Sequence, residues 1–231
     1  MAYVLIHMSH QLQLIAANAW DCHPVDDGLV FRNIRRGPKD HDRFFRYESD
    51  STCEVGQDEF LLAKFGPAYG AILSSFGREP DSVSRALDGS VAACYFAESI
   101  VRIFAPDGQS IAEVGPGNRG RGGHLLYGVA LSDMGIWAAY PTDDIVLLYL
   151  MDGTEASVLS SIFSYPERLA IIDETLYVCD MGNRRICDLD QQTLEVTEVH
   201  TFKESVWEYL CVGSREIVRL QSGIYQLTRA A

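Results

Sequence analysis

ACYFAESIVRIFAPDG, residues 93–108, lies without a gap over AAYPTDDIVLLYLMDG, residues 138–153, at an offset of 45. The overlay superimposes Ile100-Val101 on Ile145-Val146 and the closing Asp107-Gly108 on Asp152-Gly153. Working outward, IWAAYPTDDIV from Ile136 falls on LYVCDMGNRRI from Leu176 at an offset of 40. LLAKFGPAYGAI, residues 61–72, falls on VRIFAPDGQSI at an offset of 39, with one position of slippage at its start. Four units therefore recur at a period of ~40 residues. Each divides into four short runs rich in β-branched and aromatic residues; in one unit these are read as residues 83–87, 90–95, 100–104 and 110–114. That period with four short strands predicts the blades of a β-propeller, because a helical solenoid would carry a 3.6-residue apolar stripe instead.

The same punctuation extends along the chain. Apolar runs are short and closed by Gly, Asp-Gly, Pro or Ser, and no long window keeps a helical stripe, so the expectation is one all-β domain over residues 1–231. A propeller must close its ring or leave sheet edges exposed. Residues 207–212, 216–220 and 223–227 supply three strands of a last blade, and the fourth is expected from Tyr3 to Met8. Residues 11–36 are then left to the most degenerate blade. About 22 candidate strands fall between the 20 of five blades and the 24 of six. Six four-stranded antiparallel blades is the expected number and five the alternative.

Composition narrows the function classes. With 47% hydrophobic and 22% charged residues the chain is not disordered. Its 19 Lys and Arg against 32 Asp and Glu give a net charge of −13, which argues against a nucleic-acid partner. No apolar run approaches the ~18 residues of a membrane span. The Ala17-Asn18-Ala19 triplet resembles a signal-peptidase site but lacks a preceding basic region, and six cysteines without a C-x-x-C pair read as buried free thiols. A cytoplasmic protein without a membrane partner is the resulting expectation.

LYVCDMGNRRICDL, residues 176–189, resembles the NHL repeat, whose units run from a Pro-x-Gly-Val-Ala-Val strand through an Asp-Gly turn to a Tyr-Val-x-Asp-x-x-Asn-x-Arg-Ile hairpin. The first strand is matched by PERLAII (166–172), by LLYGVALS (125–132) and more loosely by PDSVSRAL (80–87); the Gly-rich stretch from Gly115 to Leu131 resembles the usual blade-to-blade connection. Only the unit at 166–202 keeps Asp180, Asn183, Arg185 and Ile186 together. In the preceding units Tyr95 and Tyr140 hold the Asp position, and Ile100 and Ile145 the Arg position. The resemblance covers residues 80–202 and implies a propeller in which Asp180 pairs with Arg185 to stitch one hairpin. It also implies that any metal, as in NHL-related amidating lyases and lactonase-type propellers, would be assembled at one channel mouth from several blades.

Motif chemistry is sparse. Gly115-x-Gly117-x-x-Gly120 matches a dinucleotide fingerprint, but no helix or βαβ unit follows it, so a blade connection is expected. Arg119 and Arg121 on that connection, and Arg35 and Arg36 in the basic stretch from Arg32 to Arg46, are candidate anion-binding residues. WDCHPVDDG, residues 20–28, reads as a solvated turn. No nucleophile–base order or metal-ligand spacing is present, so no cofactor and no metal ligand are assigned. In a propeller, the loops entering the first strands of different blades meet at one channel mouth. Those loops offer Asp42, Arg43, Asp81, His124, Tyr127, Tyr165, Glu167, Trp207 and Glu208, a mixture suited to a small polar ligand. The expected function is a non-catalytic binding module for a protein partner or such a ligand. The alternative is a metal-dependent lyase or lactonase-type enzyme with a divalent ion at the same mouth.

Overall fold

The computed structural model describes residues 10–33, 42–115 and 125–229. Within them, five four-stranded antiparallel sheets form a propeller. Blade I holds β2 (Ala19–Val25), β3 (Gly28–Asn33), β4 (Phe44–Glu48) and β5 (Ser51–Val55). Blade II holds β6 (Ser82–Arg85), β7 (Val91–Tyr95), β8 (Ile100–Phe104) and β9 (Ser110–Val114). Blade III holds β10 (Gly128–Ser132), β11 (Gly135–Tyr140), β12 (Ile145–Tyr149) and β13 (Glu155–Ser160). Blade IV holds β14 (Pro166–Ile172), β15 (Thr175–Asp180), β16 (Arg185–Leu189) and β17 (Val196–Thr201). Blade V joins β18 (Val206–Val212), β19 (Arg215–Leu220) and β20 (Gly223–Arg229) to β1 (His10–Ala17), which runs antiparallel to β20 from His10↔Arg229 to Ala17↔Gly223. The ring thus closes through the two ends of the described chain, with strands 10–17 in the closing position. Tyr3 to Met8 lies outside the described residues.

The expected six blades are corrected to five: residues 11–36 are not a blade of their own but are shared between the closing strand β1 and blade I, and a second expected unit is helical. Residues 61–72, overlaid at an offset of 39 as a strand-bearing unit, belong to a helical hairpin: α1 (Gln57–Phe65), a 3₁₀ turn, and α2 (Tyr69–Phe76). Asp58 and Glu59 in the first turn and Lys64 in the last suit the α1 dipole, and Gly66 ends it at φ 65°. Phe60, Leu61, Ala63, Lys64 and Phe65 are all buried, which spreads apolar contact around α1 and hides the stripe that marks a one-faced helix. The reason for this burial is the hairpin's position. One core cluster packs Phe60, Phe65 and Ile72 between Val30 and Phe44 of blade I and Val91, Tyr95 and Phe104 of blade II. At the other four blade boundaries the clusters join sheet directly to sheet. The hairpin is therefore a wedge between blades I and II.

The repeat offsets have a concrete origin. Ser99, Asp144 and Arg184, each one residue before a third strand, share a left-handed φ of 53°, 59° and 55°. Asp107 and Asp152 each accept a hydrogen bond from the backbone N–H two residues on, Gln109 and Thr154, at 2.9 Å. In blade IV the hairpin is locked by the buried Asp180. It accepts hydrogen bonds from Ser164 N (2.7 Å), Asn183 Nδ2 (2.9 Å) and Arg185 Nε (2.7 Å), the stitch that the resemblance implies. Removing a buried, triply bonded carboxylate strands its donors, so Asp180→Ala should cost about 2–4 kcal/mol in urea unfolding; a loss below about 1 kcal/mol would contradict this role.

Candidate functional site

Three of the five inner strands carry a β-bulge at the same place, near the end where they enter from the preceding blade. The register shifts between Trp20 and Cys22 in β2, between Pro166 and Arg168 in β14, and between Val206 and Glu208 in β18. Asp21, Glu167 and Trp207 are the extra residues, and Asp21 takes a left-handed φ of 54°. A bulge re-aims side chains and leaves one residue outside the ladder. Here it delivers polar groups to the axis from strands that are otherwise apolar.

On the blade I side, the buried Asp21 carboxylate binds Lys64 Nζ at 2.6 Å, Arg32 Nη2 at 2.9 Å and His23 Nε2 at 2.8 Å. Lys64 reaches Glu79 Oε2 at 3.2 Å, and its ammonium lies 5.2 Å from the centre of the Phe65 ring. Burial alone would raise the Asp21 pKa, but Lys64, His23 and Arg32 together hold it well below the usual carboxylate range. On the blade V side, Glu208 accepts Arg219 Nε at 2.6 Å and the Cys22 thiol at 3.4 Å. The Arg219 guanidinium lies over both Trp207 (4.5 Å) and Trp20 (4.8 Å). Burial pushes the Glu208 carboxyl up, yet Arg219 and then Arg168 outweigh it and hold it low.

Blades II to IV build the mouth. Phe96 after β7, Leu125 and Tyr127 before β10, Pro141 and Thr142 after β11, and Tyr165 with Glu167 at the start of β14 line a cavity of about 170 Å³. Phe96 meets Tyr127 edge-on at 5.5 Å, and Tyr165 is fixed by its N–H on Asp144 Oδ1 at 2.7 Å. Gly128 allows this convergence, since a Cβ there would collide with the Glu167 carbonyl oxygen. Burial raises the pKa of Glu167 despite Arg168 and Arg219 nearby, and raises that of the Tyr127 phenol.

Among the residues singled out from sequence, Tyr127, Tyr165 and Glu167 share this cavity. Asp81 anchors its rim by accepting Phe96 N at 2.9 Å and Arg78 Nη1 at 3.1 Å. Trp207 and Glu208 sit on the β18 bulge, deeper around the axis. Arg43 stands in the β3–β4 connection of blade I, exposed and forked onto Glu54. Asp42 also falls in that connection. Both precede a third strand of the sheet order, not an inner one. His124, Arg35, Arg36, Arg119 and Arg121 lie outside the described residues.

Residues 20–25, read as part of a solvated turn, are instead most of the inner strand of blade I and supply Asp21, Cys22 and His23. Lys64, Glu79, Arg168 and Arg219 were also not anticipated. Lys64 is a lone charge inside the apolar run LLAKF, Arg168 and Arg219 interrupt the runs PERLAII and EIVRL, and Glu79 in REPD has no such local signal. Among the described residues no group of three or more His, Cys, Asp or Glu is arranged to hold a metal ion. The buried thiols are poor nucleophiles, because burial raises Cys94 and Cys179 and takes Cys187 up to about 12.

No family model matches the chain, and no curated protein matches it. Solved structures share its fold at low identity. A catalytically inactive virginiamycin B lyase from Staphylococcus aureus, in complex with quinupristin, superimposes with a TM-score of 0.51 at 12% identity over 92% of this chain and 66% of that one. A protein of unknown function from Bacteroides caccae gives 0.52 at 10%, over 88% and 72%. The WD40 propeller domain of Doa1 gives 0.50 at 10%, over 89% and 62%. This chain spans about two thirds of the lyase, and at these identities the likeness establishes the propeller fold alone.

The axial carboxylates set opposite pH slopes. Asp21 and Glu208, held low in the fold, contribute stability above their unfolded pKa values that is lost as pH falls through the folded ones. Glu167 is raised, so the folded state holds its proton longer, and stability falls as pH rises from about its ordinary 4.5 through the folded value. Glu167→Gln should therefore raise Tm relative to the wild type increasingly over that window. A Tm difference that is flat with pH would contradict the assignment.

Proposed function

We propose that this propeller is a non-catalytic binding module whose channel mouth takes a small ligand with an apolar body and a polar end. The observation that carries the reading is the cavity itself, in which two tyrosines and a phenylalanine from three blades enclose space beside the half-paired polar axis. Its volume of about 170 Å³ is close to the ~150 Å³ of a cavity that accommodates benzene, so the ligand body is on the scale of one ring. Aromatic walls with a few convergent polar groups are the usual make-up of a small-molecule site. Against the enzyme alternative stand the raised thiols and the placement of Asp21 and Glu208 in ion pairs with Lys64, Arg32 and Arg219, where they stabilise cations and not a reacting group. An NHL-like scaffold role fits the same picture.

A fragment screen by ligand-observed NMR tests this. Ring-sized polar fragments should bind, and Thr142→Trp, which fills the cavity from a turn, should abolish their binding while leaving Tm within about 2–3 °C of wild type. Fragments that bind Thr142→Trp unchanged, or that are converted to product by the wild type, would overturn the reading.

A further inference from the structure

Among the described residues, three buried donors around the axis have no protein acceptor: Arg168 Nε, Arg219 Nη1 and Trp207 Nε1. Buried donors that no protein group satisfies are costly, more so when they are charged. They stand out here because neighbouring charges are well provided for; Asp21 has three cationic or imidazole partners, and Arg219 Nε is on Glu208. Arg168 is the extreme case. It is 8% exposed, and among the described residues it forms no direct ion pair; its guanidinium lies 4.8 Å from the centre of the Tyr127 ring, and Glu208 balances its charge from a longer distance. Tyr127 is also a wall of the mouth cavity, and Glu167, adjacent to Arg168 in the chain, is another. The Arg168 guanidinium is therefore stacked on, and oriented by, a ring that lines the cavity.

Resting on the reading of the mouth as a small-ligand site, we propose that Arg168 is its anion-recognition element, with Arg219 Nη1 and Trp207 Nε1 as supporting donors, and that the ligand is a small aromatic carboxylate. Three observations select that class. The ring-lined cavity suits one aromatic ring. A planar carboxylate matches the planar fork of a guanidinium, giving parallel N–H···O bonds. Glu167 and Glu208 flank the donors, and their negative charge disfavours a doubly charged phosphate over a singly charged carboxylate.

Isothermal titration of the full chain with benzoate and with benzamide, its neutral isostere, tests the proposal. Benzoate should bind about 10-fold or more tightly than benzamide, and Arg168→Gln should remove that preference, with Arg168→Lys keeping part of it. Thr142→Trp should abolish binding of both. Glu208 keeps its direct Arg219 partner in Arg168→Gln, so a cooperative unfolding transition should be retained. Should it fail to fold, Trp207→Phe, which deletes one donor and keeps the ring, should weaken benzoate about 3-fold and leave benzamide unchanged. Equal binding of benzoate and benzamide, unaltered by the Arg168 and Trp207 substitutions but abolished by Thr142→Trp, overturns the role of Arg168 while the mouth reading stands. Binding of neither overturns both. Inorganic phosphate that competes with benzoate in wild type but not in Arg168→Gln overturns the carboxylate assignment in favour of a phosphate-bearing ligand.

Discussion

The buried contact between Lys64 and Asp21 is the constraint on which this arrangement turns. A five-sheet ring has five blade boundaries, and at one of them a helical hairpin has to pack against sheets on both sides. Phe60, Phe65 and Ile72 supply the apolar part of that packing, but apolar burial is non-directional and would not define the depth of the helix. The ion pair does. Lys64 is 2% exposed, its ammonium is 2.6 Å from Asp21 Oδ2, and Asp21 sits on a bulge that exists nowhere else in blade I. An ammonium so enclosed is tolerated only with its partner in place, so the last turn of α1 is registered against the inner strand of the blade.

The same economy of bulges extends around the axis. Each bulged strand presents a polar residue where the apolar alternation of a strand would place a core side chain, and the result is a line of charge from Lys64 and Asp21 through Glu208 and Arg219 to Arg168. Paired members of that line hold blades together. Arg168, which has no direct ion pair among the described residues, lies instead over Tyr127, a ring that lines the cavity.

The hairpins of blades II to IV were legible in the sequence because their determinants are local. Left-handed residues at 99, 144 and 184 and Asp turns at 107 and 152 recur at offsets set by a handful of neighbouring residues. The helical wedge was not legible, because α1 is buried on several sides and DEFLLAKF reads as one more apolar run. That misreading, together with reading residues 11–36 as a blade of their own when β1 closes the ring and β2 and β3 belong to blade I, turned five blades into six. Tyr127, Tyr165 and Glu167 could be placed at the mouth, since they directly precede or open inner strands. Arg168, Lys64 and Arg219 could not, since their meaning depends on partners remote in sequence; Lys64 and Asp21 are 43 positions apart, and Cys22 and Glu208 are 186 apart.

The most direct test of the wedge is a double-mutant cycle on Lys64 and Asp21, followed by urea unfolding. Lys64→Met alone should cost about 3–5 kcal/mol by leaving the carboxylate under-compensated, and adding Asp21→Asn should recover a large part of it, giving a coupling of about 2–4 kcal/mol. Additive losses, with coupling below about 0.5 kcal/mol, would mean that the pair does not hold the helical hairpin in the ring and would contradict the account.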